Sequence, residues 1–155
     1  MLKKFRYILD DINERYIYNN GMNQKHVALI LSKNGKVVSV GINTLLLTKE
    51  ACSEHAEEAA LIKMRKRKMN TEYEKRDRYD ILVVRITKGG QFAESRPCPK
   101  CIERMRKSGI KINRVYYTTR KRTLMMEKLN EMKCEMNYST GYRYLRKCRG
   151  HEQVH

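Results

Sequence analysis

Apolar positions recur along this chain first at helical spacing and then at strand spacing. Leu2, Phe5, Ile8, Leu9, Ile12 and Tyr16 share one face of a helix running from Leu2 to about Tyr18. Asn19-Asn20-Gly21 breaks it. Two short apolar runs follow, His26–Leu31 and Lys36–Gly41, around Asn34-Gly35, the pairing of residues that most favours a tight hairpin. A second helix is expected from about Ser53 or Glu54, which would cap the apolar run Ala59, Ala60, Leu61, Ile62. Asp80–Thr87 reads as a buried strand and Lys88–Arg96 as a loop. A third helix starts at Pro97, whose missing N–H and fixed φ suit a first turn, and stops at Ser108-Gly109. Asn113–Thr119 is a fourth strand, Leu124–Met132 a fourth helix, and Lys133–Tyr138 a weaker fifth strand.

That order, α-β-β-α-β-α-β-α-β, implies an α/β fold. The expectation is a three-layer α/β/α sandwich with a mixed sheet of about five strands, opening on an antiparallel hairpin and continuing through helical crossovers. At 155 residues the chain makes one domain, 1–155, with a basic C-terminal segment over about 140–155. No run of 18 apolar residues is present, so no membrane partner is expected, and the first residues lack the apolar stretch of a signal peptide. Five cysteines, an odd number, fit a reducing intracellular setting, cytoplasmic or nuclear.

In such sheets, ligands gather where strand ends meet helix N-termini. Two motifs fall there. His55-Ala56-Glu57 is H-x-E, and Pro97-Cys98-Pro99-Lys100-Cys101 is P-C-x-x-C. One imidazole and two thiolates give three ligands to a tetrahedral zinc and leave its fourth corner open, as catalytic rather than structural zinc sites do. Cys98 and Cys101 are three apart, so at a helix start they share a face, and a helix N-terminus favours the thiolates that zinc requires. His55 and Glu57 are two apart and would diverge along a regular helix. They serve one ion only if the helix begins beside them and the ion sits off its end. Cys52, three residues before His55, is a rival ligand more readily placed in the adjoining loop; Cys134 and Cys148 lack a partner at metal spacing.

H-x-E followed by P-C-x-x-C is the signature of the zinc nucleobase deaminases, and over residues 25–140 the chain resembles the cytidine deaminase-like superfamily. The resemblance implies that His55, Cys98 and Cys101 are the zinc ligands. It implies that Glu57 shuttles a proton from water to the ring and then to the departing amine, and that the Ala56 N–H contacts the base. Asn43, in a Gly-x-Asn context, resembles the family's sugar- or base-contacting asparagine, although a turn residue fits it equally well. Within the superfamily, a helix and fifth strand after Thr119 look like the deoxycytidylate, tRNA-adenosine and polynucleotide cytosine deaminases. Free-cytidine enzymes usually carry Cys where this chain has His55. The function expected is therefore zinc-dependent conversion of cytosine to uracil in a CMP- or dCMP-like nucleotide. The alternatives are a tRNA adenosine or polynucleotide deaminase, or a silent nucleic-acid-binding module with structural zinc.

Charge bears on the choice of partner. There are 34 basic and 17 acidic side chains, a formal charge of +17, which suits either a pyrimidine nucleotide or a nucleic acid. A solvated lysine-rich surface explains it equally well. Arg96 and Lys100 lie at the rim of the expected pocket, where they serve either phosphate binding or solvation of a helix entry. Arg65-Lys66-Arg67-Lys68 complements the end of the helix that His55 begins. It lies about 15 Å from the metal, too far for the reacting base. Tyr138, Tyr142 and Tyr144 suit packing better than base stacking. A homo-oligomer is compatible with all of this.

Overall fold

A computed structural model describes residues 2–16, 24–45, 53–68 and 77–134. Its helices are α1 (Leu2–Tyr16), α2 (Ala56–Lys68) and α3 (Pro99–Lys107). Its strands are β1 (Gln24–Leu31), β2 (Val37–Ile42), β3 (Thr44–Leu45), β4 (Ser53–Glu54), β5 (Arg78–Thr87), β6 (Phe92–Ala93), β7 (Lys111–Thr118) and β8 (Leu124–Lys128). One six-stranded sheet has the order β2-β1-β5-β7-β8, with β6 paired to β5. β5 and β7 run parallel across the α3 crossover, and every other pairing is antiparallel. The opening hairpin turns at Gly35, whose φ of 79° is free of steric cost only for glycine. No described helix is long and apolar enough to cross a membrane.

Strand alternation divides the sheet into two cores. Val27, Leu29 and Leu31 of β1, with Leu82, Val84 and Ile86 of β5, meet Phe5, Leu9 and Ile12 of α1. Phe5 packs its ring against Tyr116 at 4.8 Å between centroids. Ala28, Ile30, Ile81 and Val83 face the other way, onto Ala60, Leu61 and Met64 of α2 and Ile102 and Met105 of α3. Both faces of the central strands are thus covered, which is why β5 reads as a continuous apolar run.

The structure departs from the sequence expectation after Thr119. Leu124–Met132 is not a helix: Leu124–Lys128 form β8, antiparallel to β7, with Thr118 opposite Leu124 and Arg114 opposite Lys128. Leu, Met, Glu and Lys favour helices in isolation, but without β8 the outer backbone groups of β7 would have no ladder partner. The connecting turn is closed by Thr119 N–H donating to Thr123 O at 2.9 Å. Lys133 and Cys134 are not in a strand, and the rest of the expected fifth strand, like the tail from Thr140 and Cys52, lies outside the described residues. A smaller departure is that β6 lies inside the expected Lys88–Arg96 loop.

Three basic side chains of α2 are used within the fold. Lys63 donates to Val40 O at 2.9 Å and Arg67 to Val38 O, covering carbonyls of the edge strand β2. Arg65 donates to Ser108 O at 3.0 Å, beyond the end of α3. Such capping blunts an edge that could otherwise pair with another chain.

Gly41 fixes how closely α2 approaches the sheet. A Cβ there would collide with the Ala56 carbonyl and the Ala60 backbone N, neither of which can rotate away. Gly41→Ala should therefore lower stability by about 1–3 kcal/mol, the usual cost of overpacking. Equilibrium urea unfolding measures it, and an unchanged midpoint would contradict the close approach.

Candidate metal centre and active site

The two motifs meet at the N-termini of α2 and α3. His55 immediately precedes α2, and its carbonyl accepts the first helical bond, from Ala59 N–H at 3.0 Å. Cys98 stands in the same relation to α3, accepting from Ile102 N–H at 3.0 Å. Each helix begins slightly later than the sequence suggested. Ser53 and Glu54 do not cap α2 but form β4, paired with Leu45 and Thr44. Pro99, not Pro97, occupies the first turn of α3. The reason is local: a residue before proline is pushed out of the helical region, and Cys98 is extended at φ −71°, ψ 162°. Cys98 thereby becomes the cap and Cys101 lies one turn on. Arg104 of α3 pairs with Glu58 in the first turn of α2, tying the two helices together.

His55, Cys98 and Cys101 form the one cluster of potential metal ligands among the described residues, their donor atoms within 4.8 Å of one another. The His55 Nδ1 is 3.1 Å from the Cys101 Sγ and 3.6 Å from the Cys98 Sγ. A nitrogen and a sulfur on one tetrahedral zinc are about 3.6 Å apart, given bonds of about 2.1 and 2.3 Å. The donor set and its spacing fit zinc, with Nδ1 as the nitrogen ligand. Mutual hydrogen bonding polarises the thiols. The Cys101 thiol donating to Cys98 holds the latter down at about 4, while the same pairing and burial push Cys101 well up. His55 is raised chiefly by its bond to Cys98. A dication bound among them would draw off the remaining thiol proton.

Glu57 lies in the first turn of α2, 5% exposed, with a pKa raised chiefly by burial. It interacts with Cys101 as well as His55, so it borders the cluster without belonging to it. Ala56 is wholly buried beside it, its N–H among the first-turn donors that have no helical acceptor. Asn43 is buried at the end of β2. Its Oδ1 accepts from His26 N–H at 2.8 Å and its own N–H donates to His26 O at 3.2 Å. Lys100 is half-buried in the first turn of α3, where its charge opposes protonation of His55. Arg96 does not point at an open rim: its guanidinium forks onto Glu127 at 2.9 and 3.3 Å.

Sequence reasoning missed His26, Ser95 and Glu127. Ser95 is buried ahead of the cysteines; its Oγ donates to Val83 O at 2.7 Å and is 2.8 Å from Thr118 Oγ1. His26 lies across the ladder from Arg85, close enough to His55 and Cys98 to feel their charges. Burial, then Arg85, lowers it to about 4. No local spacing marks these residues, since each acquires its neighbours through strand pairing.

The sequence of residues 8–119 matches the family model described as the cytidine and deoxycytidylate deaminase zinc-binding region. The chain belongs to that family. No curated protein matches the sequence. Among solved structures, the cytidine deaminase from Bacillus anthracis is similar at a TM-score of 0.58 and 14% identity, over 97% of this chain and 99% of that one. The cytidine deaminase from Burkholderia pseudomallei is similar at a TM-score of 0.56 and 19% identity, over 80% of this chain and 90% of that one. At these identities the likeness is one of fold.

Two measurements test the centre. Natively purified protein should carry about one zinc per chain, and Cys98→Ser or Cys101→Ser should lose it together with part of the folding free energy. Elemental analysis that finds no zinc in wild type would remove the assignment. The second concerns His26, whose pKa is lower in the fold than its ordinary 6.5. The unfolded chain then binds the extra proton, so stability should fall as pH drops from about 6.5 towards about 4. His26→Gln should flatten that part of the stability profile in urea titrations; an unaltered slope would show that His26 is protonated in the fold.

Proposed function

We propose that the protein hydrolyses the exocyclic amine of cytosine, yielding uracil and ammonia, in a substrate of CMP or dCMP size. One observation carries the reaction: a buried carboxylate, Glu57, stands beside a three-donor zinc site without belonging to it. A closed structural site has a fourth protein ligand and gains nothing from such a neighbour.

His55, Cys98 and Cys101 would hold the zinc, which would supply the Lewis acidity that makes water nucleophilic near neutral pH. Glu57 removes a proton from water as its oxygen adds to C4 of the base, and delivers that proton to N3. A second transfer through the same carboxylate protonates the amine, the C4–N bond breaks, and ammonia leaves as the carbonyl forms. One positioned carboxylate can be base and then acid, and burial, which raises the Glu57 pKa, favours its acid form. The Ala56 N–H and Asn43 are assigned to holding base and sugar. Arg96 and Lys100 were the sequence candidates for phosphate; with Arg96 committed to Glu127, Lys100 and the α3 N-terminus remain for that role.

Cytosine as the base is supported by the family and by the solved neighbours, both described as cytidine deaminases. A small substrate is supported by how the cations of the helical layer are engaged. Lys63, Arg65, Arg67 and Arg106 bond backbone carbonyls, and Arg104 pairs with Glu58, so much of the basic charge near α2 and α3 has a partner inside the molecule. With β8 in place of the helix expected after Thr119, the preference for a nucleotide over the free nucleoside rests on His55, where free-cytidine enzymes usually carry Cys.

Ammonia release should be measured over cytidine, deoxycytidine, CMP, dCMP, adenosine, single-stranded oligonucleotides and tRNA. The expected result is turnover of cytosine mononucleotides with a shallow salt dependence, lost by about a thousand-fold or more in Glu57→Ala while zinc is retained. Turnover of polymers alone, with the logarithmic salt slope of about 0.7 per phosphate seen on single strands, would overturn the substrate size. Wild type as inactive as Glu57→Ala throughout would favour a binding module.

A further inference from the structure

Arg96-Pro97-Cys98 is a part of the metal centre that regular secondary structure does not hold. Residues 94–98 lie in neither strand nor helix, yet they must present Cys98 within bonding reach of an ion shared with His55 and Cys101. Backbone without a ladder is fixed only by other hydrogen bonds. Two anchors supply them. Ser95 clasps the seam between the parallel strands: its N–H donates to Thr118 O at 2.9 Å and its Oγ to Val83 O at 2.7 Å. The second anchor is Arg96, and its partner is on β8.

Glu127 stands opposite Val115 in the β7–β8 ladder. It therefore shares a sheet face with Val115 and Tyr117, both of which pack in the core beneath α2 and α3. Arg96 Nε donates to Glu127 Oε2 at 2.9 Å and its Nη2 to Oε1 at 3.3 Å, a two-pronged pair. The same Nη2 donates to Lys133 O at 3.0 Å. The Tyr117 hydroxyl donates to Glu127 Oε2 at 2.7 Å, fixing the carboxylate from the neighbouring strand. These side chains are about a quarter exposed, so the pair is partly screened. Its geometry is what matters: a fork onto a carboxylate defines orientation as well as distance, two residues before a ligand.

We propose that Glu127 is a positioning residue for the metal centre: with Tyr117 it grips Arg96 and so holds the loop that sets Cys98. Groups that orient metal ligands at one remove typically govern affinity by ten-fold or more. Glu127 is not one of the clustered metal donors. It acts through Arg96, and β8 is thereby part of the site's construction. This rests on the zinc reading of His55, Cys98 and Cys101.

The test is zinc release from the full-length, zinc-loaded protein into excess chelator, followed with a colorimetric zinc indicator, alongside thermal melts. Glu127→Gln keeps size and the Tyr117 contact but loses the charge. It should release zinc about ten-fold faster and lower kcat with little change in KM. Arg96→Lys keeps charge but loses the fork, and should behave likewise; it also serves if Glu127→Gln does not fold. Glu103→Gln, which removes the exposed pair with Lys107 on α3, should release zinc at the wild-type rate. If both variants hold zinc as long as wild type even though they melt earlier, Glu127 is only a tether for β8 and the proposal fails. Wild-type protein that binds no zinc would instead overturn the reading of the site itself.

Discussion

Everything in this molecule depends on bringing one imidazole and two thiols, from positions 43 and 46 residues apart, to within bonding distance of one point. Side chains projecting from helix interiors seldom meet end-on. Here His55 and Cys98 are the cap residues of two helices whose N-termini converge, so the ligands extend past the helix ends into common space. The helix dipoles favour negative charge there, and the Cys98 thiol, held down at about 4, provides it. The sheet serves this convergence. The parallel β5–β7 pair sends α3 across one face, and the glycine in β2 lets α2 lie against the strand closely enough for His55 to reach the cysteines.

Glu57 shows the same constraint turned to chemistry. A carboxylate in the first turn of α2 is favoured by the dipole, yet this one is buried, and burial outweighs that favour by disfavouring its charge. The fold thus keeps a costly group where a solvated one would be cheaper. The cost is intelligible if the group must exchange a proton beside the cation and away from bulk water.

Part of the basic composition has a structural use that composition alone conceals. Arg65 bonds the carbonyl beyond the end of α3, and Arg106 gathers the carbonyls of Leu129 and Met132 where the chain leaves β8. Lys63 and Arg67 close the edge of β2. Long cationic side chains reach groups that secondary structure leaves unsatisfied, which is a use of charge distinct from binding a polyanion. Arg96 belongs with them: its fork lands on a carboxylate of the neighbouring hairpin.

Most of the site was legible in the sequence because its chemistry needs fixed residue types at fixed short spacings. His55, Cys98 and Cys101 announce a zinc centre before any folding is considered, and alternation marks β1, β2 and β5 because each has faces buried in a fixed period. Pro99 also decides the start of α3 locally, since a residue before proline cannot easily be helical, although Pro97 offered a competing start. What the sequence did not determine was the identity of elements whose local preference and tertiary role conflict. Leu124–Lys128 favours helix by composition and becomes β8 because β7 presents an unpaired edge. Arg96 looks like a phosphate ligand until β8 places Glu127 beside it. His26 and Ser95 carry no motif, and their relation to the centre arises from strand register. Short-range chemistry is written in the sequence; contacts across the sheet exist only after the strands have chosen their partners.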